Sequence, residues 1–113
     1  MTIQNFMEKY NIAVFVRIDK DGSMEIIRSE TAKLESDVLF EQLITFRDIS
    51  SIINTVDDRT PTMNFAQDTT RCVITKNSDF VIYVFYESEL NVFEDYDFYM
   101  KISDELINIE RYA

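Results

Sequence analysis

The chain has 113 residues and a net charge of −10, from 11 basic and 21 acidic residues and no histidine. This length suffices for one hydrophobic core and is too short for two ordinary domains, so we predict a single domain over residues 1–113. The acidic balance argues against direct binding to nucleic acid, whose phosphates need a Lys/Arg surface, and against anionic membranes.

The sequence contains no export or membrane signal that we recognise. No stretch approaches the roughly 20 apolar residues that a membrane-spanning helix needs, and the N-terminus lacks a cationic start and a cleavage site. The single cysteine, Cys72, cannot form an internal disulfide, which suggests a reducing compartment. We therefore expect a cytoplasmic protein without membrane insertion.

The first third of the chain predicts a helix and a β-hairpin. A short helix with Thr2 as its cap precedes a strand at 11–18, with Ile12, Val14, Val16 and Ile18 on one face and Ala13 and Phe15 on the other. A strand that is apolar on both faces is covered on both faces. The turn at 19–22 contains the only glycine, Gly22, and leads to a mixed strand at 23–29, which reads as an edge strand.

Residues 37–56 predict a long helix that Ser36 caps. Its main apolar stripe consists of Val38, Leu39, Leu43, Phe46, Ile49, Ile53 and Val56. A second stripe, at i, i+4, i+7 and i+11, is separate from the first and is a candidate protein interface; it consists of Phe40, Ile44, Arg47 and Ser51. The alternative is that Phe40 and Ile44 lie beneath the loop at 30–35.

The last part predicts a weak strand at 62–67, strands at 70–76 and 80–86, and a helix at 92–112. The strand at 80–86 is apolar throughout, with Phe80, Ile82, Val84 and Tyr86 on one side and Val81, Tyr83 and Phe85 on the other. Such a strand fits the middle of a sheet between helices. The fold class is therefore α+β, in the order α-β-β-α-β-β-β-α, with helices on both faces of an antiparallel sheet.

This element order resembles the Roadblock family, the small profilin-like domains of dynein light chains, GTPase-regulating complexes and bacterial polarity proteins. The resemblance covers residues 2–111. It is carried by the hairpin "VRIDKDGSMEII" and by the stretch "TTRCVITKNSDFVIYVFYESELNVFEDYDFYMKISDELI", where an Arg-led strand, a polar turn, an apolar strand and a polar break precede the last helix. The resemblance implies a homodimer or heterodimer built through the second helix and a neighbouring edge strand.

An acidic run without a basic residue follows the apolar strand. It contains five acids, Glu87, Glu89, Glu94, Asp95 and Asp97. These residues are a candidate surface for a basic protein partner. The alternative is a solvated loop that leads into a helix, whose first turn favours acids in any case.

No motif for catalysis, a metal or a cofactor stands out, and we predict a non-enzyme without cofactor. The hairpin at 19–30 has acids at several positions of a calcium loop, but Met24 stands where that loop requires glycine. Cys72 has no histidine to act as its base and is predicted to be a small buried residue.

Two functional hypotheses remain from the sequence. The first is an interaction module that dimerises and scaffolds or regulates a partner such as a small GTPase or a motor complex. The second is a small acidic inhibitor, such as a phage anti-defence or immunity protein and possibly a nucleic-acid mimic, that binds a basic protein surface through the acids at 87–97. A secretion chaperone fits less well, since such proteins usually place three strands before the middle helix and two are predicted here.

Overall fold

The structure is a computed structural model, and it describes residues 3–19, 22–45, 62–76 and 80–107. The elements are helix α1 (Ile3–Tyr10), strands β1 (Val14–Asp19) and β2 (Met24–Arg28), helix α2 (Val38–Phe40, continued by a π-helical turn Glu41–Thr45), strands β3 (Thr62–Gln67), β4 (Thr70–Lys76) and β5 (Phe80–Glu87), and helix α3 (Val92–Ile107). The predicted order of elements and the α+β class are confirmed.

The five strands form one antiparallel sheet in the order β2-β1-β5-β4-β3. The strand β5 is in the middle, where Tyr83 pairs with Val16 of β1 on one side and with Ile74 of β4 on the other. The two predicted weak or mixed strands, β2 and β3, are the edges. The edge position predicted for β2 is confirmed, and the weak strand β3 forms the other edge. The polar residues of both strands fit these positions, because an edge strand has fewer neighbours to bury its side chains.

Each face of the sheet carries its own hydrophobic core. On one face, α2 packs on a cluster that includes Val14, Val16, Ile18, Cys72, Ile74, Val81, Tyr83 and Phe85. On the opposite face, α1 and α3 pack on a cluster that includes Phe15, Val73, Phe80, Ile82, Val84 and Tyr86. The predicted alternation of β5 and its cover on both sides are therefore confirmed.

The hairpin between β1 and β2 closes as predicted rather than as a calcium loop. The backbone N–H of Gly22 donates to the carbonyl of Asp19 at 3.0 Å, and the N–H of Asp19 donates to the carbonyl of Ser23 at 2.9 Å. Gly22 has φ 89°, which glycine adopts without the steric cost that a Cβ brings.

The predicted faces of Ile12 and Ala13 are wrong. Ile12 packs in the α1/α3 cluster and Ala13 in the α2 cluster, which is the reverse of a continuous strand alternation. The reason is the end of α1, where Asn11 has φ 55° and the N–H of Ile12 donates to the carbonyl of Met7 at 2.9 Å. This geometry is a Schellman-type helix end, so the extended alternation begins only at Val14.

The described part of α2 shows one buried face where the sequence predicts two stripes. Leu39, Phe40, Leu43 and Ile44 are all buried in the α2 cluster, whereas Val38 is 43% exposed. Positions i, i+1, i+4 and i+5 form one continuous arc of a helix, so the separation of Phe40 and Ile44 from Leu39 and Leu43 is wrong. The π-helical turn further alters the spacing on which the prediction depended.

The start of α2 differs by one residue from the prediction. Asp37 is the N-cap residue, and it makes no side-chain capping bond. The hydroxyl of Ser36 nevertheless accepts a hydrogen bond from the N–H of Val38 at 3.2 Å. Residues 46–56 of the predicted helix lie outside the described residues.

An ion pair and an aromatic contact connect α1 to α3 on the face of the sheet opposite α2. Lys9 Nζ donates to Glu105 Oε1 at 2.8 Å, and the rings of Tyr10 and Phe98 are 5.8 Å apart. The hydrogen bond from Lys9 lowers the pKa of Glu105, and the same bond raises the pKa of Lys9. This contact joins the first and last described helices of the chain.

Candidate functional site at the junction of β5 and α3

The predicted acidic run lies where β5 leaves the sheet and the chain enters α3. The structure divides its five acids into two groups. Glu87 and Asp95 make hydrogen bonds within the protein, whereas Glu89, Glu94 and Asp97 are exposed. The acids that the sequence grouped together therefore have different physical roles.

Glu87 ties the end of β5 to the turn that precedes β4. Its Oε1 accepts a hydrogen bond from the hydroxyl of Thr69 at 2.6 Å, and its Oε2 accepts one from the hydroxyl of Thr70 at 2.7 Å. The N–H of Ser88 also donates to the carbonyl of Thr69 at 2.9 Å. Both carboxylate oxygens of Glu87 are thus already used inside the fold.

Asp95 is a buried carboxylate in the first turn of α3 and is only 2% exposed. Its Oδ2 accepts a hydrogen bond from the hydroxyl of Tyr86 at 2.7 Å, and its Oδ1 accepts one from Ser88 at 3.1 Å. The N-terminal end of a helix also favours a negative charge. Burial, together with the hydrogen bond to Asp95, raises the pKa of Tyr86 well above its usual range, so this hydroxyl keeps its proton and serves as a donor.

Arg71, at the start of β4, holds the loop between β5 and α3 in place through hydrogen bonds to backbone carbonyl groups. It is 7% exposed, and its Nη2 donates to the carbonyl of Leu90 at 2.8 Å while its Nη1 donates to the carbonyl of Asp68 at 2.5 Å. The N–H of Leu90 also donates to the hydroxyl of Ser88 at 3.2 Å. The backbone of Leu90 is therefore held at both its N–H and its carbonyl group.

The three exposed acids lie around the beginning of α3. The side-chain oxygen of Asn91 accepts a hydrogen bond from the N–H of Glu94 at 2.9 Å, which caps the helix. No ion pair within the described part of the chain involves the carboxylates of Glu89, Glu94 or Asp97. Their charge is therefore directed to solvent.

Apolar side chains that the sequence analysis did not assign lie among these acids. Phe93 is 91% exposed, Tyr96 is 51% exposed and Leu90 is 44% exposed. A signal for Phe93 was present in the sequence. The spacing predicts an inner face of the last helix at Val92, Tyr99, Ile102, Leu106 and Ile109, and Phe93 falls on a different side of the helix. That inner face is borne out at Ile102 and Leu106, which are fully buried, so an aromatic residue away from it must face outward.

A shallow cleft of about 450 Å³ adjoins the acidic residues. It is lined by Glu35, Thr69, Glu87, Ser88 and Glu89. The described residues contain no group of three or more acids and cysteines arranged to hold a metal ion. Two of the polar groups in the cleft, Glu87 and Thr69, are bonded to each other.

The predicted helix interface is only half described. Phe40 and Ile44 are each 6% exposed and pack in the α2 core, with Ala32 and Leu34 of the preceding loop against the same cluster. Their position matches the alternative, in which they lie beneath that loop. The other two members, Arg47 and Ser51, lie outside the described residues. A role of this helix in an interface stays a prediction.

Cys72 is buried, as predicted. It is fully enclosed in the α2 cluster, and burial raises the pKa of its thiol well above the usual range. A thiol that does not ionise is a poor nucleophile. Its place in the core explains the residue without a chemical role.

Among the described residues, no helix has the length and apolar character to cross a membrane.

Comparison with known proteins identifies the fold. No family model and no curated protein matches the sequence. The structure is similar to that of MglB from Myxococcus xanthus, with a TM-score of 0.50 and 16% identity over 92% of this chain and 87% of that one. It is also similar to MglC from Myxococcus xanthus, with a TM-score of 0.51 and 8% identity over 95% of this chain and 97% of that one. Both have the Roadblock fold, and the predicted resemblance is confirmed at the level of the fold: this chain folds as a Roadblock-type α+β protein.

Proposed function

We propose that the protein is a non-enzymatic interaction module that dimerises and scaffolds or regulates a partner protein, such as a small GTPase or a motor complex. The observation that carries this proposal is the fold, which matches Roadblock-type proteins over more than nine-tenths of the chain. The resemblance to the Roadblock family implies assembly through the second helix and an edge strand of the sheet.

Three groups that could act as acids, bases or nucleophiles are buried or hydrogen-bonded within the fold, which supports a binding role over a catalytic one. Asp95 and Glu87 are occupied by hydrogen bonds that hold the fold together, and Cys72 is a buried neutral thiol. General acid–base and nucleophilic catalysis need such groups to reach a substrate. The groups that do reach solvent near this site are suited to contacts between proteins.

Of the four residues predicted to form the dimer contact, we propose the two that follow Phe40 and Ile44 along the chain. Because Phe40 and Ile44 contribute to the core of a single chain, an acidic substitution there tests folding and not assembly. Arg47 and Ser51 are the members of the predicted face that remain for a test. Ser51 is small, which favours close approach of a second helix.

The test is the mass in solution, measured by light scattering at micromolar concentration. We expect twice the chain mass of 13.4 kDa. Arg47→Glu and Ser51→Arg are expected to shift the mass toward that of the monomer, whereas the matched charge reversal Lys101→Glu, at an exposed position of α3, leaves it unchanged. A strictly monomeric wild-type protein would contradict homodimerisation, and a dimer whose mass neither helix variant changes would reject the proposed contact.

A second candidate function is a small acidic inhibitor that binds a basic protein surface. It is supported by the exposed carboxylates of Glu89, Glu94 and Asp97, which have no ion pair within the described residues. Electrostatic steering then predicts that association with a basic partner slows steeply as salt rises. Association that does not depend on salt would reject this candidate.

A further inference from the structure

We propose that the beginning of α3 is a docking surface for an arginine-bearing segment of a partner protein. The surface, here called the α3 surface, consists of Glu89, Leu90, Phe93, Glu94, Tyr96 and Asp97. The inference rests on the proposed role in protein–protein interaction. It does not depend on dimerisation, which involves a different helix.

The exposure of the apolar side chains is the first observation. A single exposed apolar residue needs no explanation, but here Phe93 and Tyr96 are neighbours at i and i+3 on one helix face, and Leu90 lies one residue before the cap Asn91. The ring of Tyr96 also contacts that of Tyr99 at 5.3 Å, with the two planes nearly perpendicular. Adjacent aromatic side chains in water are typical of interaction sites.

The second observation is that the backbone beneath this surface is fixed. Arg71 holds the carbonyl of Leu90, and Asp95 is bonded to Tyr86 and Ser88 in the fold. The exposed side chains are therefore presented by a well-bonded helix start. A preorganised surface loses less conformational entropy when a partner binds.

The charges select the kind of occupant. Glu89, Glu94 and Asp97 alternate along the chain with the apolar residues, are exposed like them, and carry no compensating ion pair within the described residues. A second copy of this chain would bring the same acids and a net charge of −10, and a nucleic acid would bring phosphates. A basic protein segment is complementary to these acids.

Arginine fits this combination of groups better than lysine. A guanidinium group stacks on aromatic rings and pairs with carboxylates in a planar, two-point geometry. On α3, the aromatic ring of Phe93 and the carboxylate of Asp97 stand at i and i+4, which makes them neighbours on one face. One arginine can therefore contact both kinds of group, whereas the ammonium group of lysine acts mainly as a point charge.

The experiment uses a fluorescent synthetic amphipathic helical peptide with Leu and Arg on one face, and copies in which every Arg is replaced by Lys or by Glu. Binding to the full-length protein is measured by fluorescence anisotropy. We expect the Arg peptide to bind, the Lys peptide to bind at least about threefold more weakly, and the Glu peptide not to bind. Phe93→Ala is expected to weaken binding of the Arg peptide by about tenfold or more, as is typical of a central aromatic contact.

Matched variants elsewhere on the protein distinguish binding at the α3 surface from nonspecific binding to exposed apolar or acidic side chains. Ile26→Ala removes an apolar side chain of 44% exposure on β2 and is expected to leave binding unchanged. Neutralising Glu89, Glu94 and Asp97 to Gln or Asn is expected to weaken binding and to flatten its salt dependence. The same number of changes at exposed acids elsewhere, Glu8, Glu30 and Glu41 to Gln, is expected to have a much smaller effect.

Several results would overturn the proposal. These are an Arg peptide that does not bind the wild-type protein, equal effects of Phe93→Ala and Ile26→Ala, or equal effects of the two sets of acid changes. A Phe93→Ala variant that loses self-association instead of peptide binding would show a homotypic interface and would also overturn it. If the protein is monomeric and still binds the peptide, homodimerisation is rejected and the α3 surface stands. If the protein is dimeric and does not bind the peptide, the α3 surface is rejected and dimerisation stands.

Discussion

The strand β5 and the beginning of α3 are consecutive in the chain and opposite in their exposure. Phe85 in β5 is completely buried, and its ring contacts that of Phe40 at 5.3 Å, whereas Phe93 is 91% exposed eight residues later. The two residues have the same side chain, so the difference lies in what the fold places above them. An aromatic residue is part of the core in one region and part of a surface in the next.

The acids of the same segment show a parallel contrast. Asp95 is 2% exposed and bonded to Tyr86 and Ser88, while Asp97, two residues farther along the helix, faces solvent. Two residues rotate the side chain to a different side of a helix. A run of acids in sequence is therefore not one structural unit: Asp95 belongs to the hydrogen-bonded interior, and Asp97 is available for the proposed recognition of a partner.

The largest expected difference is in the free energy of unfolding, between substitution of Phe85 and substitution of Phe93. Phe85→Ala removes a fully buried ring and is expected to lower the free energy of unfolding by about 3–5 kcal/mol. Phe93→Ala is expected to change it by no more than about 0.5 kcal/mol. Urea denaturation followed by circular dichroism measures both. Similar losses for the two variants would contradict the assignment of one ring to the core and the other to the surface.

Substitutions of Asp95 and Asp97 should also differ in their effect on the free energy of unfolding, but by a smaller amount. Asp95→Ala leaves the buried hydroxyl of Tyr86 without its acceptor, and is expected to cost about 1–3 kcal/mol of the free energy of unfolding. Asp97→Ala is expected to change stability by less than about 0.5 kcal/mol, while it weakens binding of the Arg peptide. The same denaturation measurement applies, and a destabilising Asp97→Ala with a neutral Asp95→Ala would reverse the assignment.

The sequence predicted those parts of the fold that depend on a simple alternation. In β5 every residue from Phe80 to Tyr86 is apolar, and only a central strand with cover on both faces buries both alternating sets. The same reasoning failed at Ile12 and Ala13, because the left-handed residue Asn11 ends α1 and shifts the start of the alternation. A local backbone conformation of this kind leaves no mark on hydrophobic periodicity.

The candidate site was predicted less completely than the fold. The sequence located the acidic segment but could not show that Asp95 turns inward, since that depends on donors from Tyr86 and Ser88 in three dimensions. It also placed Phe40 on a separate face of the second helix, whereas the structure packs it against Phe85. Tertiary packing decides these cases, and the spacing of apolar residues along one helix does not contain that information.

The central claim is that β5 is the shielded middle strand of the sheet, and native-state hydrogen exchange followed by NMR tests it most directly. We expect the backbone amides of residues 81–86 to be among the slowest to exchange, because they are released only when the whole sheet opens. The amides of the edge strand β2 that face away from β1 should exchange much faster. Amides of β5 that exchange as fast as those would contradict the account.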